Sequence, residues 1–494
     1  MGPGSRLRRA TTRRPHLTTR LSGGHTTEQK SKWDDSPPSP EDDEIEAPLP
    51  AQFSEDNLAR HWVIRHGKYW RYVAQFGAWY EWQDDHWQHE KTSKAFELAR
   101  NITREALSWD GISKAERLRV NSARTAGAML QFVRSDRKIA ALADQWDANP
   151  NLLGVPGGVI DLTLCKMVSA DPEHFITKRT SVAPIKGEPE RWLKFLREVT
   201  RDNEEIMAYL QRFAGYCLTG DTSEHSLAFL YGTGANGKGT FVSTLLGVMA
   251  DYAITAPIET FSESKTERHS TELARLRGAR LVATEETSIG AKWNESRIKV
   301  LTGGNRISAH FMRQDDFEFQ PEFKLLIAGN HKPQMRSVDE AMKRRMHIVP
   351  FTVTIPESER DPHLADALRK EWPQILYWMI QGCAAWRDYR LAPPDQVREA
   401  TERYLQSNDI LAAWLEECCE CEGESEGKIL YQNFASWCDA QGETVWSRRG
   451  WADAMIDKGF ENFRKKQAGI VTRGFRGVKP KVAASPQNYN KFND

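Results

Sequence analysis

The chain has 494 residues, 39% of them hydrophobic and 28% charged, with 68 basic and 68 acidic side chains. That length holds about two to four domains, and the composition is that of a globular protein. A zero net charge excludes a global basic field, so any nucleic-acid contact must come from local patches; no apolar run approaches a membrane span or a secretory signal, and no membrane contact is expected.

Residues 1–50 are rich in Arg, Thr, Ser and Pro, then in Asp and Glu, with few large apolar residues. This stretch is expected to be a disordered tail. Arg6, Arg8, Arg9, Arg13, Arg14 and Arg20 fit an organelle-type leader, a tail touching nucleic acid, or a linker.

From 51 to 190 the pattern predicts a mixed α/β domain. Tyr69–Val73 and Trp79–Trp82 read as strands around a turn at Gly77, and Ala95–Trp109 as a helix. Trp62, Trp70, Trp79, Trp82 and Trp87 crowd this segment. They can stack on bases, but the core of a small sheet is the more ordinary use. Leu152–Leu162 reads as a turn-rich strand pair. Arg191–Leu196 and Ile206–Tyr216 have helical periodicity.

Leu227–Tyr231 is an apolar run read as a buried strand. It is followed by Gly232-Thr233-Gly234-Ala235-Asn236-Gly237-Lys238-Gly239-Thr240 and then by a helical pattern. Strand, glycine-rich loop and helix in that order form a phosphate-binding loop. The glycines let backbone N–H groups point inward at phosphate oxygens. Lys238 would bridge the β- and γ-phosphates of a nucleotide. The usual hydroxyl after the lysine is absent. Gly239 stands there, and Thr240 follows. Either the loop shifts register so that Thr240 reaches Mg²⁺, or acidic residues and water hold the ion.

Alternating strands and helices continue to about Phe351, as in an α/β nucleotide-binding domain. Arg280–Thr284 reads as a strand ending in Glu285-Glu286. Paired acids at a strand tip beside a phosphate loop suit a Mg²⁺ ligand and a water-activating base. Residues 299–319 run from Lys-Val-Leu-Thr-Gly-Gly into a β-hairpin with its tip near Arg313–Asp316. Lys324–Ala328 is a third strand, and Asn330 beyond it can bond a γ-phosphate or the attacking water, or simply form a turn. Arg344-Arg345 precede a fourth strand, His347–Phe351. An arginine there can reach a phosphate on a neighbouring subunit, or simply complement a helix C-terminus.

Pro362–Leu391 and Val397–Glu420 read as helical. Cys418, Cys419 and Cys421 lie at the end of that acidic helix; a zinc site would need a fourth ligand. The odd total of seven cysteines points to a reducing cytosol rather than a disulfide framework. From Leu430 to Lys481 the order is helix, turn, helix, hairpin, with Ser447 capping the second helix and Gly459 ending it. Lys465, Lys466 and Arg473 lie on the hairpin, which fits the basic wing of a winged helix.

The motif order is phosphate loop, strand-Glu-Glu, Lys-x-Leu-Thr-Gly-Gly with hairpin, strand-Gly-Asn, then Arg-Arg before a strand. It resembles superfamily 3 helicases of the AAA+ class, more narrowly the helicase half of phage and plasmid primase–helicases, relatives of the poxvirus primase–helicase. The resemblance is clear over about Asn151–Phe351. It implies an AAA+ core over 191–395 between the N-terminal α/β domain and a helical plus winged-helix-like domain, 396–494. It implies ATP and Mg²⁺ as cofactors, and a homo-oligomeric ring, a hexamer, on single-stranded or forked DNA. By matching position, Glu285 and Glu286 serve Mg²⁺ and water, and Asn330 senses the γ-phosphate. Arg345, or Arg344, is the finger. The hairpin tracks DNA, here through His310, Arg313 and Gln314 rather than the lysines of relatives; Lys299 joins these candidate DNA contacts. No primase acids are found in a folded segment, so either priming comes from a separately encoded protein or this one only unwinds. The expected activity is a DNA helicase in a bacterial host cytosol, replicating a phage, prophage or plasmid. A DNA loading or packaging ATPase is an alternative, as is a nucleotide-switched origin-binding protein.

Overall fold

The computed structural model describes residues 49–263, 269–285, 292–310, 316–335, 339–443, 445–467 and 470–481. At its centre lies a five-stranded parallel sheet. Its strands in chain order are β1 (Leu227–Tyr231), β2 (Ala253–Thr255), β3 (Leu281–Glu285), β4 (Lys324–Gly329) and β5 (Met346–Pro350). The spatial order is β5-β1-β4-β3-β2. Both faces of the sheet are covered, which is why these strands are almost unbroken apolar runs.

Alternate side chains enter two cores. Ala228, Leu230, Ala283, Leu326, Ala328 and Val349 join one core with the helices Glu190–Thr200, Glu204–Cys217, Lys238–Met249 and Trp372–Tyr389. Leu227, Phe229, Val282, Leu325, Ile327 and Ile348 join the other, with Trp293 and Tyr404. Tyr231, Gly329 and Glu285 finish level: Gly329 pairs with Tyr231, and its neighbour Ala328 with Glu285. The carboxyl edge of a parallel sheet is where such folds form a crevice.

Two flanking pieces pack into the central cores. The antiparallel sheet Leu152–Val155, Gly158–Asp161 and Lys166–Val168 sends Leu153, Val155 and Ile160 into the first central core. The helix Asp395–Ser407 places Ala400, Tyr404 and Leu405 in the second. The expected helix over 397–420 is two: Asp409 caps Ile410–Cys418 by accepting from the Ala412 N–H. An Asp is a strong helix start, so the chain turns there toward its last core.

The N-terminal core forms around Trp62, with its ring centroid 5.9 Å from Trp70 and 5.6 Å from Trp79. It is enclosed by the helices Glu55–His66, Lys94–Ala106 and Ala123–Ser135 and by the strands Trp70–Val73 and Ala78–Trp82. Trp62, Trp70, Trp79 and Trp87 are buried, so these rings are core and not free stacking platforms. The last core holds Trp414, Phe434, Trp451 and Phe475. It is built from the helices Gly427–Gln441 and Arg448–Asp457 and a sheet ordered Glu424–Glu426, Ile470–Arg476, Glu461–Gln467. Ser447 caps the second helix as expected, accepting from the Gly450 N–H.

At the opposite edge of the central sheet, two strands begin with buried cations. Arg280 donates to the Leu218 and Leu152 carbonyls at 2.7 and 2.8 Å. Lys324 donates to the Thr219, Asp221 and Glu322 carbonyls, and burial pushes its ammonium down to about 8. These contacts satisfy loop carbonyls that the packing removes from water.

Candidate nucleotide-binding site

The loop Gly232–Thr240 joins β1 to the helix Lys238–Met249 at the crevice. Two of its glycines are tightly surrounded. A Cβ on Gly232 would lie 2.0 Å from Asn236 Nδ2 and 2.1 Å from the Phe351 carbonyl. Gly237 has φ +81°, and a Cβ there would meet Val199 and Phe195 at 2.6 and 2.7 Å. Gly239 differs, because a Cβ there meets nothing within 4 Å.

Lys238 is buried, and burial lowers its pKa. Its ammonium donates to the Gly232 carbonyl at 2.8 Å, Asn236 Oδ1 at 2.9 Å and Asn330 Oδ1 at 3.0 Å. Asn236 is itself fixed by donating to the Phe351 carbonyl at 3.0 Å. Three oxygens thus meet three N–H donors, and phosphate oxygens offer the same chemistry. A cavity of about 320 Å³ opens here, lined by Gly234–Thr240 with Ala328, Gly329 and Asn330. Thr240 lines it on the side of the helix start.

Glu285 ends β3 at the same edge, and Glu286 lies outside the described residues. Among the described residues no three His, Cys, Asp or Glu cluster as a metal site.

Arg344 and Arg345 end the helix Glu340–Arg345, just before β5. Arg345 donates to Thr302 Oγ1 at 3.1 Å and to the Ala341 carbonyl at 2.8 Å. Arg344 is exposed. Both line a cavity of about 450 Å³ with Glu224, His225, Lys299 and Asn305. Lys299 pairs with Asp339, the cap of the arginine helix. The structure thus brings Lys299 to the arginines rather than to the hairpin. The sequence pattern does not foretell this cavity, which gathers residues from three separate segments.

The hairpin pairs Ile307–Ala309 with Phe317–Phe319. His310 Nδ1 lies 3.0 Å from Asp316 just beyond the paired residues. Arg313 and Gln314 fall outside the described residues. In the C-terminal hairpin, Arg464 stands opposite Arg473 and Lys466 opposite Val471, and these three basic residues are exposed. Lys465 is drawn to Glu424.

Residues 59–201 match the family model described as D5 N terminal like, and residues 230–345 match DUF5906, a family of unknown function. A protein named as a helicase in Acanthamoeba polyphaga mimivirus is 26% identical over 320 residues, covering 59% of this chain and 33% of that protein. One named as a helicase in Invertebrate iridescent virus 6 is 26% identical over 355 residues, covering 63% and 36%. One named as a primase in African swine fever virus is 25% identical over 210 residues, covering 40% and 22%. Over these segments the chain is similar to phage and viral primase–helicase proteins. For the two helicase-named relatives the match spans about a third of their length. The apo C-terminal region of NrS-1 superposes over 86% of this chain and 99% of that one, with TM-score 0.49 and 10% identity. Among the described residues no helix is long and apolar enough to cross a membrane.

Proposed function

We propose that this chain is an ATP-dependent DNA helicase of superfamily 3, working as a hexameric ring on single-stranded or forked DNA. The single observation that carries the reading is the contact between Lys238 and Asn330. It joins the phosphate loop after β1 to the tip of β4, at the carboxyl edge of a β5-β1-β4-β3-β2 parallel sheet. That strand order and loop placement favour an AAA+ core over 191–395. The helix, helix, hairpin order after 427 favours a winged-helix-like DNA-binding domain within 396–494.

In this reading Lys238 and the loop amides hold the phosphates of ATP, and Asn330 senses the γ-phosphate. Thr240 and Glu285 serve Mg²⁺, and Glu286 activates water. ATP with Mg²⁺ supplies the free energy of strand separation. Arg344 and Arg345 face an open cation-rich cavity, which suits a finger completing a neighbouring subunit's site. With Arg345 tied to Thr302 and Ala341, the exposed Arg344 is the freer of the two. His310, Arg313 and Gln314 on the hairpin, and Lys465, Lys466 and Arg473 on the C-terminal hairpin, contact DNA. The setting is replication of a phage, prophage or plasmid in a bacterial cytosol.

The test is displacement of a labelled strand from forked DNA. Wild type should unwind with ATP and Mg²⁺, and K238A should not. Unwinding by folded K238A at the wild-type rate would overturn the assignment.

A further inference from the structure

Residues 94–138 of the N-terminal segment carry ten Lys or Arg and five Asp or Glu, a net of +5 in a chain whose total is zero. Three of those acids are already engaged, Asp136 by the Lys138 N–H at 2.8 Å, while Lys94 pairs with Glu81 outside the segment. Glu105 is held by Arg65, and Glu116 accepts from the Ser113 N–H at 2.9 Å. Within this patch the helices Lys94–Ala106 and Ala123–Ser135 flank a cavity of about 250 Å³. Its walls include Phe96, Arg100, Arg104, Asn121 and Ser122. Arg100 and Arg104 sit one turn apart, so both guanidinium groups rise from the same helix face. Both are exposed, and Arg104 has only a 3.4 Å contact with Asn101 Oδ1. Nothing in the packing explains the pair, since the core side of the helix is formed by Ala95, Ala99, Ile102 and Ala106.

We propose that this cavity binds the backbone of single-stranded DNA, with Arg100 and Arg104 on its phosphates. Guanidinium groups match phosphate oxygens in a fixed fork. The Asn121 amide adds a donor. The Phe96 ring, half-buried in the wall, offers the apolar face that sugar or base can cover. The choice of single-stranded DNA rests on the helicase reading. The contact is separate from the nucleotide site, to which none of these residues contributes.

The test uses the full chain and a fluorescent oligodeoxynucleotide, with affinity measured by anisotropy across a salt series. R100A/R104A should bind at least about tenfold more weakly at 0.1 M salt. Its slope of log affinity against log salt should fall by about 1.4, the value for two phosphate contacts on a single strand. R100K/R104K should keep most of the slope. R369A/K370A, which removes the same charge from the helix Leu364–Lys370, should leave it unchanged. Wild-type slope in R100A/R104A overturns the proposal, and so does an equal loss in R369A/K370A. Basal ATPase without DNA separates the two readings. If wild type lacks it, the helicase assignment fails. If R100A/R104A keeps it while losing the salt slope, the DNA site stands on its own evidence.

Discussion

Gly237 and Gly239 flank Lys238 in sequence but differ in what surrounds them, and the difference sets up a paired test. In G237A the new methyl group meets Val199 Cγ1 at 2.6 Å and the Phe195 ring at 2.7 Å, both from the helix Glu190–Thr200. Overfilling a packed site costs about 1–3 kcal/mol. The backbone at φ +81° adds about 1–2 kcal/mol for any residue with a Cβ. G237A should therefore lose about 2–5 kcal/mol, a large part of the 5–15 kcal/mol that holds a typical domain folded. G239A places its methyl in open space within a helix, where exchanging Gly for Ala gains about 0.5–1 kcal/mol. Urea unfolding followed by tryptophan fluorescence should separate the two variants by about 2.5 kcal/mol or more, and a fluorescent ATP analogue should bind G239A but bind G237A far more weakly. Equal stability and equal nucleotide binding in the two variants would refute the loop geometry. G239S extends the test. It puts a hydroxyl directly after the lysine and should lower the Mg²⁺ concentration for half-maximal ATPase several-fold; an unchanged requirement would mean that the ion does not approach this position.

Other perturbations have equally definite outcomes. R280A strands the Leu218 and Leu152 carbonyls in a dry site and should cost about 3 kcal/mol in urea unfolding; a loss under 1 kcal/mol would show that water replaces the guanidinium. His347, bonded at Nδ1 to the Tyr209 hydroxyl at 2.8 Å, is pushed by burial down to about 4. Between that value and the ordinary 6.5 the unfolded chain binds the extra proton, so stability should rise with pH across this window and fall as the solution is acidified. The effect amounts to up to about 3 kcal/mol, and H347Q should flatten the curve; an unaltered curve would place the acid sensitivity elsewhere. Mixing R344A/R345A subunits with K238A subunits should recover part of the ATPase that each lacks alone, through interfaces pairing an intact loop with intact arginines; no recovery at any ratio would argue against a shared site.

The central sheet was legible because parallel strands buried on both faces leave continuous apolar runs such as Leu227–Tyr231 and Lys324–Gly329. The loop was legible because glycine spacing around Lys238 is a local property. What segments such as Leu152–Asp161 pack against was not, since short strands do not name the core they enter. The break at Asp409 carried its own signal, an Asn-Asp pair inside a helical pattern, and the apolar periodicity on either side concealed it. The cavity joining Arg344 to Glu224, His225, Lys299 and Asn305 depends wholly on tertiary packing. So does the saturation of Lys238 by Gly232, Asn236 and Asn330. Buried Arg280 and Lys324 looked like ordinary charged residues at strand starts. Only the loop carbonyls around them reveal their use.

The most direct test of the account is ATP hydrolysis measured with and without single-stranded DNA, for wild type and K238A side by side. A DNA motor should hydrolyse ATP with Mg²⁺, speed up several-fold when single-stranded DNA is added, and lose both rates in K238A while remaining folded. Hydrolysis by K238A equal to wild type, or a wild-type rate indifferent to DNA at every concentration, would contradict it.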